Sequence, residues 1–207
     1  MNYLTAAAAA EDFFIEKKSK FIGSLKPVTT EQEAIDFIAS IKAEHPQARH
    51  HVYAYILREG NTMRYSDAGE PSGTGGQPML NVLRREGLVD VCVVATRYFG
   101  GILLGAGGLT RAYAKAAKMA VDASGIVEMR LCKVLTVRCP YPVYDKLCSA
   151  LAARGGEIAS TQFGQDVTFE VSCEDSEVER LKECIREISA GVANCEESGE
   201  KFIGFAK

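Results

Sequence analysis

The 207-residue sequence has no long apolar run and no recognisable export signal. Its longest weakly polar stretch, residues 91–96, is far shorter than the ~20 residues that a transmembrane helix needs. The alanines near the N-terminus lack a preceding basic region, and Glu11 and Asp12 follow them directly, which is unlike a secretory signal. We therefore expect a cytoplasmic protein that has no membrane partner.

Common catalytic and metal-binding patterns are also missing. The only histidines are His45, His50 and His51, and no Gly-x-Ser-x-Gly motif surrounds a nucleophilic serine. The 7 cysteines include no Cys-x-x-Cys pair, so we expect reduced thiols packed as small hydrophobic side chains. We therefore expect no cofactor and no metal, and we assign no catalytic residue. A binding protein is the favoured interpretation, and enzymatic activity stays open.

The charge is small and unevenly distributed. The net charge is −3, and the composition, with 47% hydrophobic and 25% charged residues, is that of an ordinary folded protein. Residues 1–131 hold 15 Lys+Arg against 14 Asp+Glu, which gives +1, whereas residues 132–207 hold 9 against 13, which gives −4. The first part is therefore the better candidate for phosphate contact, and a generally basic nucleic-acid binder is excluded.

The hydrophobic periodicity predicts an α+β protein with two domains, residues 1–130 and 131–207. In the first domain, residues 88–96 form a strand that is apolar enough to lie at the centre of a sheet. In the second, the order β-α-β-β-α-β is typical of a ferredoxin-like, split βαβ fold.

Helix starts are predicted from capping patterns and from the glycine-rich segments. Thr30 and Ser176 each have a Glu three residues later, which is a capping box. We expect helices over residues 79–85 and 109–124, each following a glycine-rich loop.

The first glycine-rich segment, residues 65–78, has two interpretations. Gly73, Gly75 and Gly76 free the backbone for a close approach, and they precede a helix start whose amides favour an anion. A rigid structural turn explains the same glycines equally well.

His50 and His51, together with Asp67 and Glu70, offer two imidazoles and two carboxylates. Such a set can bind a metal or share protons. Adjacent residues on a strand point to opposite faces, so both histidines cannot easily serve one site. We expect one of them to pack or to form a hydrogen bond, without a metal.

The second glycine-rich segment leaves the central strand and enters a helix, which is a common ligand position. Arg97 is a candidate phosphate clamp, and Tyr98 is a candidate for stacking on a base. A basic stripe of Arg111, Lys115 and Lys118 follows at helical spacing, although a stripe of this kind is usually a solvated face. The candidate ligand- or nucleic-acid-binding residues are His50, Asp67, Glu70, Gly73, Gly75, Gly76, Arg97, Tyr98, Gly100, Gly101, Gly105, Gly107, Gly108, Arg111 and Lys115.

Both segments resemble the signatures of the IMPACT (YigZ-like) family. Residues 66–78 read Ser-Asp-Ala-Gly-Glu-Pro-Ser-Gly-Thr-Gly-Gly-Gln-Pro, and residues 97–113 begin Arg-Tyr-Phe-Gly-Gly. The resemblance implies a first domain like domain 2 of ribosomal protein S5 (S5 domain 2-like) and a ferredoxin-like second domain. It implies a pairing similar to the fourth and fifth domains of elongation factor G, which contact the ribosome. It implies no catalytic residue.

These observations lead to three alternative functions. The first is a translation-linked protein that contacts RNA or the ribosome through the glycine-rich loops and the basic helix face. The second is an enzyme or binder of a phosphorylated small molecule, by analogy with small-molecule kinases, although the serines of their glycine-rich loop are missing here. The third is a protein-interaction module whose acidic C-terminal domain binds a protein partner.

Overall fold

The structure, a computed structural model, describes residues 2–206 and separates into two compact units. The N-terminal unit comprises Tyr3–Glu128 and residues 204–206, and the C-terminal unit comprises Asn2 and Met129–Ile203. Both units mix helices and strands, which confirms the α+β, two-domain prediction at that level.

The N-terminal unit contains a five-stranded sheet and three helices. The sheet has the order β2-β3-β6-β4-β5, and each neighbouring pair is antiparallel. The elements of this unit are β1 (Tyr3–Ala6), β2 (Ala10–Glu16), β3 (Ser19–Pro27), α1 (Glu31–Glu44), β4 (His50–Leu57), β5 (Thr62–Ser66), α2 (Gly76–Arg85), β6 (Val91–Tyr98) and α3 (Ala106–Ser124).

Helices cover both faces of this sheet, which explains why its central strand is apolar throughout. On β6, Val91, Val93 and Ala95 belong to the core formed with α2 and α3. The alternate residues Cys92 and Val94 belong to a separate core under α1. Because both faces are buried, the usual alternation of apolar and polar residues disappears.

Local sequence signals account for several element boundaries. Lys17 and Lys18 adopt positive φ angles of 45° and 63° in the two-residue turn between β2 and β3. The Thr30 side chain caps α1 and Glu33 completes the capping box, as predicted. At Ser176 the prediction is wrong, because this residue lies inside a 3₁₀ turn and α5 has no side-chain cap.

The C-terminal unit consists of a sheet with two helices in the order predicted from the sequence. The helices pack through Leu147, Leu151, Leu181 and Ile185 onto Leu135 and other buried strand residues. Strand β9 lies between β7 and β8, and β10 also pairs with β7. The elements are β7 (Ile126–Cys139), α4 (Tyr141–Ala152), β8 (Glu157–Phe163), β9 (Val167–Cys173), α5 (Val178–Ile188) and β10 (Asn194–Ala206).

Two helices begin earlier than the glycine content suggested. Helix α2 starts at Gly76 and α3 starts at Ala106, so glycines that were expected in loops lie in first helical turns. Among residues 2–206, no helix is both long and apolar enough to span a lipid bilayer.

Candidate functional site

The two glycine-rich segments meet at the buried carboxylate of Glu70, whose side chain is only 4% exposed. Its Oε1 accepts hydrogen bonds from Nη1 of Arg97 at 2.6 Å and from the hydroxyl of Tyr113 at 2.7 Å. Nε2 of His50 lies 3.9 Å from the same oxygen. Strands β4 and β6 and helix α3 are therefore joined through one acidic side chain of the loop between β5 and α2.

Arg97 is buried in this arrangement and is already paired. Its charge is compensated by Glu70, and Nη2 lies 3.5 Å from Oγ of Ser19. Its Nε is shielded from solvent and has no hydrogen-bond partner among the described residues. We predicted a phosphate clamp at Arg97, but in the structure its first role is to neutralise Glu70.

Tyr113 acts as a hydrogen-bond donor at the same site. Burial, and then the hydrogen bond to Glu70, raise the pKa of Tyr113 above its ordinary value. The hydroxyl therefore stays protonated and continues to donate to the carboxylate. The ring also packs edge-on against Phe21, at 5.3 Å between ring centroids.

Asp67 organises the first glycine-rich segment. Its carboxylate accepts three backbone N–H bonds, from Gly73 at 2.8 Å, Gly75 at 2.9 Å and Gly76 at 2.8 Å. Burial alone would raise the pKa of Asp67, but these bonds hold it below its ordinary value. The anion that these amides bind is thus the chain's own carboxylate.

Steric contacts explain two of these glycines. A Cβ on Gly75 would lie 2.8 Å from Cγ1 of Val52, and a Cβ on Gly76 would lie 2.9 Å from backbone atoms of Ser66. Both distances are too short for an ordinary side chain, so the segment needs glycine for packing. Gly73 is different, because its φ of 76° favours glycine although the space around it is open.

The histidines separate to the two faces of the sheet, as strand geometry predicts. Nδ1 of His50 lies 2.9 Å from the carbonyl oxygen of Ala68, so this nitrogen donates. His51 instead contacts the carbonyl of His45 at 3.2 Å, and burial lowers the pKa of His51. Only His50 joins the Glu70 site.

Tyr98 also lies away from Arg97. Its hydroxyl is 3.0 Å from Nδ1 of His45, and the two rings meet edge to face. Adjacent strand residues point to opposite faces, so Tyr98 and Arg97 do not share a binding surface. The stacking role that we predicted for Tyr98 therefore has no support from its position.

The loop between β6 and α3 contains glycines with different functions. Gly100 passes so close to the β2–β3 turn that a Cβ would lie 2.0 Å from the carbonyl carbon of Lys18. Gly101 and Gly105 have φ angles of 83° and 72°. Gly107 and Gly108 lie in the first turn of α3, where no side chain caps the free amides.

A cleft of about 360 Å³ lies beside the Glu70 site and is open to a ligand. Its lining combines charged side chains, the start of α3 and apolar residues of the β6–α3 loop. The lining residues are Arg49, His50, Glu70, Pro71, Arg97, Phe99, Leu103, Leu104, Gly105, Ala106 and Leu109.

The basic stripe of α3 borders a second, smaller cleft of about 160 Å³ that also includes Lys17 of the β2–β3 turn. Within residues 2–206, Lys17, Arg111 and Lys115 form no ion pair, and Nζ of Lys115 lies 4.3 Å from the ring centroid of Phe14. Lys118, in contrast, pairs with Asp122 and with Glu86. The uncompensated positive charge is therefore concentrated in the first half of the helix.

A group of possible metal ligands lies elsewhere in the same unit. The ligand atoms of Glu11, Glu44 and His45 lie within 4.8 Å of one another, and both carboxylates are exposed. The histidines and carboxylates that we considered from the sequence do not form this group. The expectation of no metal remains a prediction.

Sequence reasoning missed several residues of the site. Tyr113 was part of a recognised motif, yet its donation to Glu70 depends on a separation of 43 positions. Ser19 reaches both Arg97 and the amide of Gly100 from the β2–β3 hairpin. Arg49 and Phe99 line the cleft without any distinctive spacing. These contacts arise from tertiary structure. The only sequence signal for any of them was that Arg49 directly precedes His50, which was already a candidate.

Comparison with known proteins gives a consistent result over the whole chain. Residues 17–121 match the Impact N-terminal domain, and residues 137–192 match a domain of unknown function, DUF1949. The protein is 38% identical to IMPACT family member YvyE of Bacillus subtilis over 98% of this chain and 94% of that one. It is 32% identical to IMPACT family member YigZ of Escherichia coli over 84% and 87% of the two chains.

A solved structure has the same fold. The crystal structure of a hypothetical protein matches 97% of this chain and 98% of its own, with a TM-score of 0.61 and 30% sequence identity. The two domain matches and the two relatives indicate the same family as the signature segments around Glu70 and Arg97. The chain belongs to the IMPACT family.

Proposed function

We propose that this protein binds RNA in a translation-linked role and that the N-terminal unit contacts the phosphate backbone. The observation that carries the proposal is the contrast along α3. Arg111 and Lys115 have no acidic partner within the described residues, whereas Lys118 is neutralised by Glu86 and Asp122. Because no acidic side chain in this described part of the chain neutralises these two cations, their charges are available for phosphate groups.

The position of these cations supports binding to an extended polyanion. Lys17 joins Arg111 and Lys115 around one cleft, and Leu104 lines both this cleft and the larger cleft that includes Arg49. A polyanion on this surface releases condensed counterions, so its affinity falls steeply as salt is added. Because the net charge of the protein is −3, its long-range attraction for a polyanion is weak. Binding therefore depends on this local positive surface.

The proposal also includes a fold assignment for each unit and a cellular location. We interpret the N-terminal unit as S5 domain 2-like. In the C-terminal unit β9 lies between β7 and β8, and β10 also pairs with β7, which supports a ferredoxin-like interpretation. This pairing is similar to the domains of elongation factor G that contact the ribosome, which favours the ribosome as the RNA-containing partner and the cytoplasm as the location.

The test is co-sedimentation with ribosomes and their subunits at low and moderate salt. The variant Arg111→Ala/Lys115→Ala should lose most of the binding and should show a smaller dependence on salt. Lys118→Ala is the matched control, because it removes a cation of the same helix that is already paired. Equal binding by wild type and the double variant, or no binding by wild type, would refute the proposal.

A second candidate function is binding of a phosphorylated small molecule. The observation that favours it is the start of α3, whose amides have no side-chain cap and border the larger cleft. A thermal shift assay with ATP at millimolar concentration tests it. An unchanged melting temperature would remove this candidate.

The acidic C-terminal domain suggests a third candidate, a protein partner. Residues 132–207 carry a net charge of −4, which suits a basic protein surface better than RNA. Cross-linking in cell extract with wild type and a charge-reversed variant, Glu170→Lys, would test this interaction. Unchanged cross-linked products would argue against a partner on that surface.

A further inference from the structure

We propose that the 360 Å³ cleft beside Glu70 receives one unpaired nucleotide of the bound RNA, so that the protein selects single-stranded over duplex RNA. The inference rests on the proposed function, because it specifies the kind of RNA that the N-terminal unit binds. It concerns a different surface from the basic stripe, and the two can therefore fail separately.

The size and lining of the cleft suit a nucleotide. Pockets for small ligands usually measure about 300–1,000 Å³ and combine an apolar wall with a few polar groups. Phe99, Leu103 and Leu109 supply the apolar wall here, and Arg49 and His50 supply polar groups. A base that is still stacked in a duplex cannot enter such a cleft, because its faces are covered and its pairing edge is occupied.

Two large side chains of the apolar wall are exposed to solvent instead of being packed in the core. Phe99 is 43% exposed and Leu103 is 81% exposed at the tip of the β6–α3 loop. The guanidinium of Arg97 lies 5.4 Å from the ring centroid of Phe99 and supports one face of that ring. The other face is a platform on which a base of any sequence can stack.

Hydrogen-bond donors in the lining of the cleft fit a phosphate. Helix α3 begins after Gly105 without a side-chain cap, and its first residue, Ala106, lines the cleft. Arg49 lines the same cleft and has no ion-pair partner among residues 2–206. The lining of the cleft thus combines unpaired hydrogen-bond donors with an exposed aromatic ring.

Charge favours RNA over an apolar peptide as the occupant. Glu70 is the one acidic residue of the lining, and Arg97 neutralises it. The remaining charge of the cleft is positive, and Leu104 also lines the neighbouring cleft that contains Arg111 and Lys115. A strand whose phosphates follow that neighbouring cleft would bring a base to Phe99.

Fluorescence anisotropy with a short labelled RNA, single-stranded or annealed to its complement, tests this inference. Wild type should bind the single strand about tenfold more tightly than the duplex. Phe99→Ala should weaken single-strand binding about tenfold, which is the usual range for loss of one stacked base, and should leave duplex binding unchanged. Phe13→Ala is the matched control, since Phe13 is 54% exposed in the same unit but lies outside both clefts.

The possible outcomes separate the two proposals. Equal affinity for both RNA forms, or equal weakening of both by Phe99→Ala, overturns the cleft assignment and leaves backbone binding intact. No binding of either RNA by wild type overturns both. Leu103→Ala provides a second variant if Phe99→Ala does not fold, and circular dichroism monitors folding. Displacement of the RNA by micromolar adenosine monophosphate would instead assign the cleft to a free nucleotide.

Discussion

Glu70 and Arg97, 27 positions apart in the sequence, form a buried ion pair at 2.6 Å that joins the two glycine-rich segments. The two side chains are 4% and 6% exposed, so neither charge is compensated by water. Removing one member of such a pair strands the other charge in the interior, which is costly. The pair therefore links the integrity of the candidate site to the stability of the N-terminal unit.

We expect Glu70→Ala to lower the free energy of unfolding by about 3–5 kcal/mol. Glu86→Ala breaks a pair with Lys118 in which the side chains are 27% and 46% exposed, and it should cost about 0–1 kcal/mol. Urea denaturation monitored by circular dichroism measures both. Similar losses for the two variants would mean that the Glu70 pair is not desolvated as the structure indicates.

Asp67 makes stability depend on pH. Its pKa in the folded protein is below the ordinary 3.8, so its contribution is complete above that value and is lost as the pH falls through the folded pKa. Asp67→Asn should remove about 2 kcal/mol at neutral pH, because three amides lose a charged acceptor.

Unfolding by urea between pH 7 and pH 3 measures this effect. Compared with wild type, Asp67→Asn should show a weaker loss of stability on acidification, so that the two curves approach each other as the pH falls. Asp36→Asn is the control, since Asp36 on α1 makes one exposed hydrogen bond, to Gln32. Parallel curves for wild type and Asp67→Asn would contradict the assigned role of Asp67.

Much of the fold could be predicted from the sequence because it depends on local periodicity. The apolar run of β6, the capping box at Thr30 and the element order of the C-terminal unit are all short-range signals. The start of α2 was placed three residues late because glycine disfavours helices. Tertiary contacts override that preference at Gly76, where Asp67 accepts the first amides.

The arrangement of the site was less predictable, because it depends on which distant residues meet. The sequence placed His50 and Glu70 in one candidate group and Arg97 in another, whereas the structure brings all three side chains together. The sequence did not show that Glu70 would neutralise the charge of Arg97, because the whole fold determines where a loop residue such as Glu70 lies. The failure at Ser176 has a similar cause, since a 3₁₀ turn there competes with the cap.

The buried thiols of Cys92 and Cys173 should be unreactive in the folded protein. Burial raises the pKa of Cys92 to about 12 and, with smaller contributions from neighbouring groups, that of Cys173 to about 11. The thiolate is the reactive form, so little of it exists at pH 8. Iodoacetamide labelling followed by mass spectrometry should modify Cys92 only in guanidinium, while the partly exposed Cys148 and Cys195 are modified first. Rapid native labelling of Cys92 would show that its site opens without global unfolding.

Alanine substitutions at Gly100 and Gly107 distinguish a glycine that is needed for folding from one that is needed for binding, within one glycine-rich segment. A Cβ on Gly100 would collide with the backbone of Lys18 at 2.0 Å, so Gly100→Ala should cost about 1–3 kcal/mol. A Cβ on Gly107 would meet only Nη1 of Arg111, at 3.6 Å, in a helical turn where alanine is preferred. Gly107→Ala should therefore leave stability unchanged or raise it by up to about 1 kcal/mol.

Thermal unfolding and RNA affinity of the two variants, measured side by side, complete this comparison. If Gly107→Ala is stable but binds RNA more weakly, the glycine serves close approach of a ligand to the first turn of α3. If it is stable and binds normally, the first-turn amides of α3 can contact the ligand even when residue 107 carries a side chain. Destabilisation by Gly107→Ala equal to that by Gly100→Ala would contradict the packing argument, because only Gly100 meets backbone atoms that cannot move aside.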